Sequence, residues 1–132
     1  MNQQLSEKSA IGLDGNLAAA LGYPIGILGL INFIIEKQNK FVKFHGIQSV
    51  LYSVAFTILF FVIWIAMFII GIIFSTISNA LGMLVWSLFG LLAFAAFIVW
   101  IGGLLFFAYK AYQGQMFKLP FIGNMAENLA NK

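Results

Sequence analysis

The sequence has no cysteine, no arginine, two prolines and one histidine, and only 8% of its 132 residues are charged. Without cysteine there is no disulfide, thiolate nucleophile or thiolate metal site, although this does not identify a compartment. Without arginine the usual bidentate phosphate clamp is missing, and seven scattered lysines build no basic groove, so nucleic acid is not an expected partner. The shortage of charge excludes most. A soluble domain carries about a quarter charged residues, whereas this chain is 62% hydrophobic. Its solvent must be lipid over most of its surface. The four acids, Glu7, Asp14, Glu36 and Glu127, are never paired inside an apolar run. No HExxH, GxSxG or phosphate loop occurs, so neither an enzyme nor a cofactor or metal site is expected.

Long uncharged runs dominate what is present. Between Asp14 and Glu36 lies "GNLAAALGYPIGILGLINFII", and from Phe44 to Tyr109 the only ionisable group near neutral pH is His45. About 20 helical residues cross a hydrocarbon core roughly 30 Å thick. The first run supplies one span over 17–35, with Pro24 and its neighbouring glycines permitting a kinked or re-entrant path. The second run is too long for a single crossing and must turn back. Its best break is "STISNALG", an outer turn over 75–82 between spans at 47–74 and 83–109. The expected fold is a single all-α integral membrane domain: three transmembrane helices and a short amphipathic cytoplasmic C-terminal segment.

Lysines orient these spans. Lys37, Lys40 and Lys43 fall in the loop 36–46, and Lys110, Lys118 and Lys132 in the tail 110–132. Only Lys8 lies on the other side. Positive loops stay inside, which places the C-terminus in the cytoplasm and the N-terminus outside.

The stretch "EKQNKFVKFHGIQS" leads into the second span. Phe41, Phe44, His45, Gln48 and Tyr52 share one helical face. His45, Gln48, Ser49, Tyr52 and Ser53 form a polar stripe that either lines a proton or ion path or hydrogen-bonds to neighbouring helices. The second reading is favoured, since no acid inside a span continues a relay. Glu36 is placed to pair with Lys40, an exposed pair worth about 0–1 kcal/mol. Ala18, Gly22 and Gly26 form a small-residue row, suited to a homodimer seam or to packing within the chain. In the tail, Gly114 ends a helix and Pro120 fixes a turn. Phe121, Ile122, Met125 and Leu129 then recur at helical spacing, as in a segment returning to the cytoplasmic membrane surface or to the underside of the bundle.

Two stretches, "EKQNKFVKFHGIQS" and "KAYQGQMFKLPFIGNMA", together with the leading "GLDGNLAAALGYPIGILGLI", carry a family likeness. They resemble the Tic-twenty-like family, small prokaryotic membrane proteins grouped with a chloroplast inner-envelope protein import component. The motif positions under that resemblance are Glu36, Asn39, Phe41, Phe44, His45, Gln48, Ser49, Gly114, Leu119, Pro120 and Gly123. That family often has alanine where this chain has Gly46 and an acid where it has Gln115. The resemblance implies a helical membrane protein assisting protein translocation or insertion. The functional expectation is therefore a non-enzymatic subunit or scaffold. Its cytoplasmic platform would meet anionic lipid headgroups, a second copy or other membrane subunits. The alternative is an oligomeric channel or small-solute transporter, with the His45–Ser53 stripe at its mouth.

Overall fold

The computed structural model describes residues 7–132. Among the described residues there are five helices: α1 (Gly15–Leu21), α2 (Gly26–Ile35), α3 (Lys40–Ile77), α4 (Asn79–Tyr112) and α5 (Ile122–Ala130). No strand occurs among the described residues beyond one isolated bridge between Lys8 and Asp14. Among the described residues, only α3 and α4 are long and apolar enough to cross a membrane.

The first apolar run is not one continuous helix over 17–35. It is a pair of helices of 7 and 10 residues, broken around Tyr23 and Pro24. Proline lacks the N–H of the helical ladder, and its ring pushes the preceding residue out of helical geometry. At 1.5 Å per residue, α2 is about 15 Å long, half a hydrocarbon core.

The other expected breaks are narrower than the sequence suggests. The polar segment 75–82 is helical apart from Ser78. Its hydroxyls bond back into their own helix, Ser75 Oγ to the Gly71 carbonyl at 2.8 Å and Thr76 Oγ1 to the Ile73 carbonyl at 2.6 Å. The break between the two long helices is thereby confined to Ser78. The loop expected over 36–46 shrinks to residues 36–39, because α3 already starts at Lys40.

The chain forms two compact units. The second, Ala55–Ile101, contains no charged residue. Its helical stretches 55–77 and 79–101 have 23 residues each, about 35 Å, close to a membrane crossing. They meet where the Trp86 ring lies over Gly71, and Trp86 Nε1 donates to Ser75 Oγ at 3.2 Å. Outward-facing Phe61, Ile65, Ile69, Leu91, Phe94 and Val99 are exposed, as lipid-facing residues are.

The first unit gathers the described residues up to Val54 with Gly102–Lys132. Here α1 and α2 approach closely because Gly22 sits on Gly29, and Asn32 Nδ2 donates to the Ala18 carbonyl at 2.9 Å. The beginning of α3 joins them through Gly46. A β-carbon there would lie 2.8 Å from Asn32 Cβ and 2.9 Å from both the Gly29 carbonyl oxygen and the Phe33 nitrogen. The small-residue row is thus used within the chain through Ala18 and Gly22, while Gly26 has open space around it.

Candidate functional site: a buried polar chain

Phe41, Phe44, His45, Gln48 and Ser49 lie at the start of α3, with almost no surface exposed. Three aromatic rings enclose the His45 imidazole: Phe41 at 4.6 Å, Phe44 at 5.0 Å and Tyr23 at 5.7 Å between centroids. Its Nε2 is 3.1 Å from the Gln115 carbonyl oxygen, and its Nδ1 is 2.7 Å from the Tyr23 hydroxyl.

These partners fix the proton positions. A carbonyl only accepts, so Nε2 carries the hydrogen and donates to Gln115. In the neutral imidazole Nδ1 then accepts, and Tyr23 donates to it. Gln48 Nε2 donates to the Tyr23 oxygen at 2.9 Å and to the Phe117 carbonyl at 2.8 Å. Gln48 Oε1 accepts from the Leu119 backbone N–H at 3.1 Å. Every bond in this series has one consistent direction, and a second proton on His45 would leave the Tyr23 hydrogen without its acceptor. The imidazole is held neutral.

A second knot surrounds Glu36, which does not turn toward Lys40. Its side chain is buried, and the carboxylate accepts from the backbone N–H of Ala10 at 2.7 Å, Asn39 at 3.0 Å and Gln38 at 3.2 Å. Charge-assisted bonds to several N–H groups offset the desolvation of a buried carboxylate. Asn39 caps α3, its Oδ1 accepting from the Val42 N–H at 3.2 Å. Asn39 Nδ2 donates to the Glu7 carbonyl at 3.4 Å, and Asn16 Nδ2 to the Tyr112 carbonyl at 3.2 Å. The segment before α1, the α2–α3 loop and the end of α4 are thereby tied together.

The tail positions serve this arrangement through their backbone. Gly114, at φ 78°, closes α4 with the Gln115 N–H bonded to the Lys110 carbonyl and the Gly114 N–H to the Ala111 carbonyl. This pair of bonds is a Schellman motif, which places the Gln115 carbonyl on His45. Leu119 supplies its N–H, as above. Pro120 accepts from the Ile122 N–H at 2.7 Å, and Gly123 lies against the Lys118 backbone. Ser49 Oγ donates to the Gly46 carbonyl at 2.9 Å and touches Gly29. All eleven motif positions therefore fall in the first unit, most of them in the two knots or the turns that position them. The hub that sequence reasoning missed is Tyr23. A tyrosine hydroxyl in an apolar run needs a polar partner, and that was its one available signal.

Comparison with known proteins corrects the family. The model of the Magnetosome magnetite crystal formation protein family matches residues 9–126. A UPF0132 membrane protein of Methanocaldococcus jannaschii is 42% identical over 121 residues, 91% of this chain and 92% of its own length. One from Archaeoglobus fulgidus is 38% identical over 113 residues, 85% of this chain and 91% of its own. A further Methanocaldococcus jannaschii protein of that name is 33% identical over 119 residues, 89% of this chain and 71% of its own. No solved structure matches. These findings overturn the resemblance to the Tic-twenty-like family, and the inference toward protein translocation loses the support it rested on. The quoted motifs encode a way of packing a buried polar chain, which does not by itself identify a family. The chain belongs to the Magnetosome magnetite crystal formation protein family, together with the archaeal UPF0132 membrane proteins, a family of membrane proteins of unknown function.

Proposed function

We propose that this chain is a non-enzymatic integral membrane subunit or scaffold whose α3 and α4 each cross the bilayer once. On this reading α1 and α2 form a returning hairpin and do not complete a third span. Support comes from the 2.7 Å bond between the Ala10 N–H and Glu36. A crossing between those residues would separate them by a hydrocarbon core of about 30 Å. Both termini then share the cytoplasmic side, and the N-terminus is not outside. Lys8 joins the other six lysines there, leaving none at Ser78. That asymmetry is more complete than in the three-span arrangement.

One observation carries the non-enzymatic reading: the chemistry-bearing side chains of the motifs are occupied internally. His45, Gln48, Glu36 and Asn39 are buried and bonded to the protein's own backbone or to Tyr23. The channel reading required the His45–Ser53 stripe to face a pore, and its buried first half argues against that. The platform left for partners is the exposed surface around Lys37, Lys40 and Phe117. Its partners are anionic headgroups, a second copy or another membrane subunit. The mineral-related words of the family description are said of the family.

Photo-crosslinking from Lys40 and Phe117 in native membranes tests the subunit reading. A reproducible protein neighbour is expected at one or both. Recovery of lipid alone, combined with solute flux through reconstituted protein, would overturn it in favour of a channel.

A further inference from the structure

The buried face of α5 is made of small residues. Gly123, Ala126 and Ala130 are covered, and the alanines pack with Phe44 and Ile47. The bulky apolar residues of the same helix point away from that core. Phe121, Met125 and Leu129, four residues apart, form an exposed stripe, with Asn124, Asn128 and Asn131 on the other outward side. Phe121 is 85% exposed.

Its backbone is as unusual as its exposure. Phe121 sits at φ 63°, ψ −55°, with the Ile122 N–H bonded to the Pro120 carbonyl. This is a γ-turn of the rare, strained hand. Gly123 against the Lys118 backbone closes the turn. The fold thus holds a phenylalanine outward in a conformation aromatic residues seldom adopt.

We propose that the Phe121–Met125–Leu129 stripe docks on the anionic surface of the bilayer. Charge selects this occupant. Glu127 is the only acid after Glu36, and Lys118 pairs with it at 2.6 Å. Among the side chains from Gln113 to Lys132, two lysines stand against this one acid, and Lys132 is exposed. An apolar stripe beside neutral amides and basic groups suits insertion among acidic headgroups. The inference rests on the membrane reading above and assigns the tail a lipid partner within it.

The cysteine-free chain allows single nitroxide labels at F121C, M125C, N124C and N128C, with N79C as a reference near Ser78. The full protein is placed in nanodiscs of phosphatidylcholine with or without phosphatidylglycerol, and accessibility to oxygen and to a nickel chelate is compared. The oxygen-to-nickel ratio at 121 and 125 is expected to exceed that at 124 and 128 several-fold, and to fall when phosphatidylglycerol is omitted. Equal ratios at the four sites, or no dependence on phosphatidylglycerol, would overturn the proposal. So would spin–spin broadening at 121 between copies, which would make a second chain the occupant. If unlabelled α3 and α4 still span in N79C topology controls, such a failure concerns only the tail. If they do not, the membrane reading itself fails.

Discussion

Tyr23→Phe removes one oxygen atom from the centre of the polar chain. The ring keeps its contacts with His45 and Phe107, so no sizeable cavity opens. Two buried groups lose their partner: His45 Nδ1, which accepts from the hydroxyl, and one Gln48 amide hydrogen, which donates to it. Moving the imidazole proton to Nδ1 gives no escape, since it orphans the Gln115 carbonyl instead. Each orphaned buried group costs about 1–3 kcal/mol, so a loss of roughly 2–6 kcal/mol is expected. Reversible unfolding in micelles measures it, with Tyr109→Phe as the exposed control at about ±0.5 kcal/mol. A double-mutant cycle with Gln48→Met should show coupling of about 0.5–3 kcal/mol. If Tyr23→Phe matches the control and the two changes simply add, the polar chain does not hold this unit together.

Other consequences follow from the same contacts. Gly46→Ala drives a methyl into the backbone of α2 and should cost about 1–3 kcal/mol. Gly90→Ala, with open space around it, should gain about 1 kcal/mol from helix propensity, both read by unfolding in micelles. Glu36→Ala frees the Ala10 and Asn39 amides, so hydrogen exchange at both should rise while that of α4 stays unchanged. Glu36→Gln should retain part of the protection, since its remaining oxygen still accepts. Phe121→Gly relieves the strained turn and should raise stability in micelles by about 1–3 kcal/mol.

The membrane class and both long helices were legible in the sequence because uncharged length is a local, additive signal. The grouping of Phe41, Phe44, His45 and Gln48 was legible for the same reason, being a helical period. The break near Pro24 and the option of a re-entrant path were visible, but the contact that brings residues 10 and 36 together was not. It depends on a carboxylate meeting an amide 26 positions away, and Glu36 read locally suggested a pair with Lys40. The acceptors on His45 and Gln48 were hidden more deeply, since Gln115 and Phe117 contribute carbonyls that no side-chain pattern records. The break within Ser75–Gly82 was legible too, though the structure narrows it to Ser78: Ser75 bonds back into α3, and Gly82 lets α4 pack on it.

The returning path of the first apolar stretch is the claim on which the two-span reading depends. It is tested by placing one cysteine at a time at Lys8, Gln38 and Asn79 and labelling oriented membrane vesicles with an impermeant maleimide. The account predicts that positions 8 and 38 react from the same cytoplasmic face and position 79 from the opposite one. Reaction of position 8 from the face that exposes 79 would contradict it.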